Sequence, residues 1–502
     1  MNLATSTLEN LQAENQELKG EIVSLQEQLD WFKRQIFGKR SEKIVLTSEE
    51  NYFPGFPWTA DKVSEKEKKK TMIPAHERKT ANRDGQDKIT WPSDLPVEKV
   101  FIDLPEDQKV CPETGVPLVK IGEEKTSKLA LQPGTFYIKE IIRPKYAHPQ
   151  RSEEGIKIAA LPETLLTRCQ ADESLLAEIL VKKFADHLPL NRMSEIFARQ
   201  GVFISRQILC QWVMRCGEAL KPLYDLMHKE ILASGNVFID ETPVKMLVPG
   251  KGEAQQAFMW VLSGGNAANP AYRIYSFRPN RQHRHAAELL KGFHGVLHSD
   301  KYGAYEVLAN AKQFIWCPCW VHIRRNFLEA ESGDPPFRDW VLGRIQELFK
   351  LEEEAWLLSP EERLCVREQK EVPIIDNLIH SIKDRLVNGK TLPKSNFKDA
   401  LGYFVSLIPY LKNYTLLPWA RLDNNVAERA VRSIAVGRKN WLFVGSEDGG
   451  EAAAILFSLI QTCRAIKINP VEYLQDIMVR LMSHSSQKLH ELLPDHWAQS
   501  KK

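Results

Sequence analysis

A chain of 502 residues exceeds one ordinary hydrophobic core, so about two to four domains are expected. Its 43% hydrophobic and 26% charged content fits a globular protein and excludes fibrous or low-complexity classes. The net charge of +3 argues for a polyanionic partner only if Lys and Arg are concentrated locally.

The longest apolar stretch, around Ala452 to Ile460, is too short to span a bilayer. The polar N-terminus has no signal-peptide core, so a cytoplasmic location is expected, with no membrane partner. The eight cysteines (Cys111, Cys169, Cys210, Cys216, Cys317, Cys319, Cys365 and Cys463) are sparse and irregularly spaced, which suits a reducing compartment.

The predicted fold class is a multidomain α+β protein. Along residues 1–38, Leu8, Leu11, Asn15, Leu18, Ile22, Leu25, Leu29, Phe32 and Ile36 recur in steps of three and four. With Leu11, Leu18 and Leu25 at d and Asn15 and Ile22 at a, this pattern predicts a parallel coiled coil. The expected consequence is a homodimer or higher oligomer, the buried Asn setting register; a single amphipathic helix is the alternative. Residues 39–92 lose periodicity and read as a linker, and the basic run Lys66 to Lys70 in it reads as solvated.

Residues 93–160 alternate in short runs ("EKVFIDL", "TFYIKEIIRPKYA") and predict a small β-rich module. Residues 161–232 return to helix. There "NRMSEIFARQ", Gly201 and a second helix capped by Ser205 have the length of a helix-turn-helix, with Arg206 and Gln207 opening the helix that would meet DNA. A plain helical hairpin fits the same pattern.

From Asn236 to Phe327 the order is three strands ("NVFIDETPVKML", "QAFMWVLSG", "AYRIYSF"), a helix near His283 to Lys291, the strand "GVLHSD", a helix from about Tyr302 to Ala311, the strand "FIWCPCW" and the helix "VHIRRNF". That is the order of a ribonuclease H-like α/β domain: an antiparallel meander followed by crossovers. Asp240 falls within the first strand and Asp300 ends the fourth, and these strands are neighbours in such a sheet. A third acid, Glu428, lies one turn into a helix predicted from "RLDNNVAERAVRSIAVGRKN", capped by Asp423 or Asn424 and buried along Ala427, Ala430, Val431 and Ile434. Glu241 is the rival of Asp240, but adjacent strand residues face opposite ways and only one joins a site.

Three carboxylates suit two hard divalent cations, Mg2+ or Mn2+, holding the attacking and leaving oxygens of a phosphoryl transfer. Asp240, Asp300 and Glu428 are the candidate catalytic and metal-binding residues. Arg324, Arg325, Arg429, Arg432, Arg438 and Lys439 are candidate DNA contacts. His298, two residues before Asp300, His322 and Asn425 are candidate site neighbours.

These residues resemble the DDE transposases of the insertion sequence 66 family. The likeness runs through "FGKRSEK", "HLPLNR…ARQGVFISR", "IDETPVKML", "SDKYGAY", "CWVHIRRNF", "DNNVAERAVR" and the tail "GSEDGGEAAAILFSLIQTCRAIKINPVEYL". It implies a bacterial, nucleoid-associated transposase whose DDE acids are Asp240, Asp300 and Glu428, acting on double-stranded DNA with accessory proteins of the same element. It also implies a catalytic domain at 233–327 and 421–445, a helical insertion at 328–420 and C-terminal helices at 446–502. The family's small module usually binds zinc through two CxxC pairs. Here "CPETG" keeps Cys111 but has Thr114, and "HPQR" has His148 and Arg151, so a zinc-ribbon-like fold with degenerate ligands and no zinc is expected.

"NGKT" at 388–391 lacks the leading glycine and strand of a phosphate-binding loop and reads as a helix end. Cys317, Cys319 and His322 look ligand-like but have no fourth partner nearby in sequence, which favours core packing beside the site. His283, His285, His294 and His298 form no recognisable metal set. Two rival functions fit parts of the pattern: a dimeric DNA-binding regulator without catalysis, and a ribonuclease H-like nuclease without strand transfer.

Overall fold

The computed structural model describes residues 91–501 except 111–114, 133, 148–154, 249, 251, 265–271, 312, 331–332 and 389–394. The expected coiled coil, the linker up to residue 90, Cys111 and His148 lie outside the described residues. The chain divides into two compact units, and every element below belongs to the one formed by 86–391 and 396–502.

Four strands open it: β1 (Val97–Phe101), β2 (Val119–Gln132), β3 (Thr135–Ala147) and β4 (Ile156–Ile158). β3 pairs with β1 in parallel and with β2 and β4 antiparallel. The two ends of β3 serve different cores. Tyr146 packs with Leu104 and Ala159 in a small cluster, whereas Phe136 joins the main core edge-on to Phe197, with ring centroids 5.3 Å apart.

Three helices follow: α1 (Glu173–Phe184), α2 (Leu190–Arg199) and α3 (Arg206–Ala233). Gly201 turns the chain between α2 and α3 with φ +80°, a conformation costly for any residue with a Cβ. Ser205 caps α3 by accepting the Ile208 N–H at 3.3 Å, as its sequence position predicts. The 28 residues of α3 run far past a short recognition helix, because its apolar stripe continues through Leu220, Leu223, Met227 and Ile231.

The second sheet comprises β5 (Asn236–Leu247), β6 (Ala254–Gly264), β7 (Arg273–Arg278), β8 (Val296–Ser299) and β9 (Ile315–Pro318), ordered β7-β6-β5-β8-β9. β5, β6 and β7 form an antiparallel meander, and β8 and β9 add in parallel. Parallel steps need crossovers. Helices α4 (His283–Leu289) and α5 (Gly303–Asn310) provide them, and α6 (Trp320–Glu329) follows β9.

Helices α7 (Pro335–Ala355), α8 (Pro360–Val366), α9 (Val372–Asn388) and α10 (Asn396–Leu407) come next, and α9 ends at the "NGKT" asparagine. A π-helical turn, Arg367–Glu371, joins α8 to α9. There the fully buried Arg367 grips Glu352 with two hydrogen bonds (2.6 and 2.9 Å) and donates to the carbonyls of Tyr414, Leu417 and Ala420. This fixes the loop leading into α11 (Asn425–Trp441).

The chain closes with α12 (Glu447–Ala465), α13 (Pro470–Arg480) and α14 (Pro494–Ser500). Strand β7 is a sheet edge, and α12 covers it. Ser458 Oγ accepts the Tyr275 N–H at 2.8 Å and Thr462 Oγ1 the Arg273 N–H at 3.0 Å, satisfying edge donors otherwise open to another strand. A Cβ on Gly450 would stand 2.4 Å from the Phe277 ring, so only glycine permits this approach. Among the described residues no helix is long and apolar enough to cross a membrane.

Candidate active site

Strand register places the two aspartates. The β5–β8 ladder pairs Phe238 with His298, and Asp240 and Asp300 each lie two residues beyond that pair. Neighbouring parallel strands run about 4.8 Å apart, so both carboxyl groups leave the same end of the sheet. Asp240 Oδ1 accepts the Glu241 N–H at 2.9 Å, and Asp300 Oδ1 accepts the Tyr302 N–H at 3.0 Å where the chain turns into α5.

Helix α11 carries Glu428 close enough to act electrostatically on Asp240, although the three acids do not form a set whose ligand atoms lie within 4.8 Å of one another. Three contacts clamp it: Asn424 Nδ2 donates to Ile239 O (2.9 Å), Tyr275 Oη to Ala430 O (2.8 Å), and Arg438 Nη1 to Thr242 Oγ1 (2.9 Å) and Pro243 O (2.6 Å). The clamp differs from the expected cap. Asn424 holds the N-cap position but makes no side-chain cap bond, since its amide reaches β5; Asp423 Oδ1 instead accepts the Asn425 N–H at 3.0 Å.

Crowded carboxylates show in the electrostatics. Burial first, then Glu241, Asp300 and Glu428, push Asp240 up to about 7. Glu241 is also raised, by burial and then Asp300, with Arg281 and Tyr305 opposing. The Glu241 side chain, only 1% exposed, takes hydrogen bonds from Arg281 Nε (2.6 Å) and Tyr305 Oη (2.9 Å). Arg281 also lies 3.7 Å from Asp300 Oδ2 and stacks over the Tyr302 ring at 4.2 Å. Glu241 therefore has its own cation and donor, whereas Glu428 Oε1 is buried with no hydrogen-bond partner. Clustered carboxylates with excess negative charge are the donor type that hard divalent cations take, whereas the unpartnered Glu428 Oε1 faces Cys319 and His322.

The other candidates divide. His322 Nδ1 lies 3.8 Å from Glu428 Oε1, and burial lowers its pKa. Asn425 turns to Asp423 Oδ2 at 2.8 Å rather than to the acids. His298 is buried, stacked on Phe238 at 4.3 Å between centroids with Nε2 3.2 Å from Asn236 Oδ1; burial drives its pKa down to about 3. It lies in the core although it shares a strand face with Asp300. Arg438 is engaged as a clamp on β5. Arg206, Gln207, Arg324, Arg325, Arg429, Arg432 and Lys439 are exposed.

Arg429 and Arg432 line a cavity of about 440 Å³ together with Arg273, Arg464, His187 and Gln461, and no acidic side chain lines it. Sequence reading missed Arg273 and Arg464, which reach this cavity from β7 and α12. It also missed Arg281 and Tyr305, and gave Asn424 only as a possible helix cap. The arginine-dense "RPNRQHR" after β7 was a usable signal for Arg281; for Asn424 the adjacent Asp423 and Asn425 obscured which side chain turns inward.

Comparison with protein families resolves the grouping. Residues 168–452 match the model described as "Transposase IS66 family", and 458–494 match the "IS66 C-terminal element". This chain belongs to the IS66 transposase family. Residues 24–100 also match the model "Transposase C of IS166 homeodomain". Among curated relatives, "Uncharacterized protein y4hP" of Sinorhizobium fredii (strain NBRC 101917 / NGR234) is 32% identical over 432 residues, 81% of this chain and 76% of the relative. "Uncharacterized protein y4jD" of the same organism is 32% identical over 424 residues, 81% of each chain. The IS66 match spans both aspartates, Glu428 and the helices between them.

Proposed function

We propose that this IS66 transposase cleaves and joins DNA strands at a ribonuclease H-like centre formed by Asp240, Asp300 and Glu428. The observation that carries this is the electrostatic coupling of acids from β5, the end of β8 and α11: burial first, then Glu241, Asp300 and Glu428, push Asp240 up to about 7. The order β7-β6-β5-β8-β9, an antiparallel meander extended by parallel strands, supports the fold assignment. The domain divisions at 93–160, 161–232, 233–327 with 421–445, 328–420 and 446–502 belong to the same proposal.

Asp240, Asp300 and Glu428 would hold two divalent ions, Mg2+ or Mn2+. Bound there, such ions activate an attacking oxygen and stabilise a leaving one. The chain's own residues prepare the site. Arg281 pairs with Glu241 and Tyr305 donates to it, which tethers that carboxylate while its charge still acts on Asp240. Asn424, Tyr275 and Arg438 fix α11 and hence the reach of Glu428. Arg324, Arg325 and Lys439 are free to meet phosphates, and Arg429 and Arg432, with Arg273 and Arg464, supply a cationic recess for DNA backbone. Arg206 and Gln207, exposed on the first turn of α3, are suited to a groove. Oligomerisation through residues 1–38 and help from accessory proteins complete the proposal.

The test is to incubate the purified protein, Mg2+ and DNA bearing the element ends, and to look for joined strands. Joined products that vanish in Asp300→Asn support the reading. Nicks without joints would favour a nuclease, and DNA binding with neither product a regulator.

A further inference from the structure

Beside the carboxylate centre lies a set of softer donors that the phosphoryl-transfer reading does not use. Cys319 is the N-cap residue of α6, and His322 sits three positions on, so both occupy one side of its first turn. Glu428, more than a hundred positions away in sequence, meets them. One ligand atom from each of Cys319, His322 and Glu428 lies within 4.8 Å of the others.

We propose that Cys319 Sγ, His322 Nδ1 and Glu428 Oε1 form a binding site for a borderline-soft divalent cation of the Zn2+ class, distinct from the all-oxygen Mg2+ centre and sharing only Glu428 with it. Three observations carry it. First, His322 Nδ1 and Glu428 Oε1 are both buried and neither has a hydrogen-bond partner, although they are only 3.8 Å apart. Two buried polar atoms left unmatched side by side are costly unless a third group satisfies both.

Second, the donors are held in place. The Asn424 N–H donates to Cys319 Sγ at 3.3 Å, and the Trp320 N–H to Leu422 O at 3.1 Å, so the starts of α6 and α11 are stapled together. An N–H directed at sulfur also favours the thiolate that a metal needs. Burial pushes the free Cys319 thiol up to about 12, and a coordinating cation removes that proton outright.

Third, the chemistry discriminates. A thiolate, a neutral imidazole and a carboxylate give zero net charge with a divalent ion, and this donor set selects Zn2+ over Mg2+. Bond lengths of about 2.0–2.3 Å in a tetrahedral arrangement put ligand atoms roughly 3.5 Å apart, so a contraction of about 1 Å closes the set. Three protein ligands leave a fourth position for water. An ion held here draws Glu428 Oε1 away from Asp240 and Asp300 and inhibits Mg2+-dependent strand chemistry. That consequence rests on the proposed role of Glu428; the binding site itself does not.

The full-length protein is titrated with Co2+ as a spectroscopic substitute, in excess Mg2+. The expected result is one thiolate-to-cobalt charge-transfer band, displaced by Zn2+. The band should disappear in Cys319→Ser, and Co2+ affinity should fall in His322→Gln by more than the ~10–100-fold that loss of an outer-shell partner costs. Both variants are checked for native circular dichroism, and Cys111→Ser, outside the set, should keep the band. No band in the wild type, or a band that survives in Cys319→Ser while His322→Gln binds normally, overturns the site. A Cys319-dependent band in a protein that joins no DNA upholds the site and counts against strand transfer; joined DNA with no band does the reverse.

Discussion

Two clusters of buried charge sit at opposite ends of the loop that leads into α11, and they are built on opposite principles. Around Arg367 the guanidinium is fully answered from within, and Glu371 Oε1 is the one carboxylate oxygen there left without a hydrogen-bond partner. Glu352 takes two hydrogen bonds from Arg367, three backbone carbonyls use the remaining donors, and Tyr414 Oη donates to Glu371 Oε2 at 2.7 Å. Burial and the neighbouring Glu352 raise Glu371 well above the usual carboxylate range, which keeps it neutral at pH 7. Around Asp240 the protein leaves charge uncompensated: Arg281 answers Glu241, Asp240 is pushed up to about 7, and Glu428 Oε1 has no partner. A satisfied buried ion pair holds a fold in one arrangement, whereas an unsatisfied one is a place for something to bind.

Substitutions in the open cluster should have the largest effects. Asp240→Asn, Asp300→Asn and Glu428→Gln should each reduce strand cleavage and joining by more than the ~10²–10³-fold that loss of one oxyanion donor costs, with circular dichroism unchanged. A variant that retains substantial joining would remove its residue from the proposed centre.

The closed cluster should respond in stability. Arg367→Met strands Glu352 in the core and should lower unfolding stability by about 3–5 kcal/mol in urea titrations. The double variant Arg367→Met with Glu352→Gln should recover much of that loss, because no unpaired charge remains.

The pH response sharpens the contrast. Asp240 titrates near 3.9 in an unfolded chain and about 7 in the fold, so between those values the folded state binds more protons. Its contribution is therefore complete below about pH 4 and is lost as pH rises through about 7. Metal-free protein should lose about 2–4 kcal/mol across that window from this group alone. Asp240→Asn should reduce the slope by this group's share, leaving that of the raised Glu371 and Glu241, and be the more stable protein at pH 8; saturating Mg2+ should reduce it likewise in the wild type. A pH-independent melting temperature in metal-free protein would contradict the crowding.

The smallest expected effects belong to the cationic recess. Arg429→Ala and Arg432→Ala should weaken DNA binding almost uniformly across sequences, each reducing the slope of log affinity against log salt by about 1. A sequence-selective loss would move these residues from backbone contact to base readout.

Much of the local plan is legible in the residue order. Period-two and period-3.6 patterns marked β5 to β9 and α4 to α6 nearly to the residue, and Ser205 announced the start of α3. Strand order brought Asp240 and Asp300 to one sheet end, because both lie two positions beyond a paired residue on adjacent strands. Which side chains around them turn inward depends on how the elements pack. His298 faces the core although it shares a strand face with Asp300. Asn424, not Asn425, braces α11, and Arg438 grips β5 rather than remaining free for a phosphate. Cys319 and His322, discounted for want of a nearby partner, meet Glu428 from across the chain. Periodicity reports which face of an element is apolar, whereas these contacts depend on how separate elements are placed, and that follows from packing summed over the whole core.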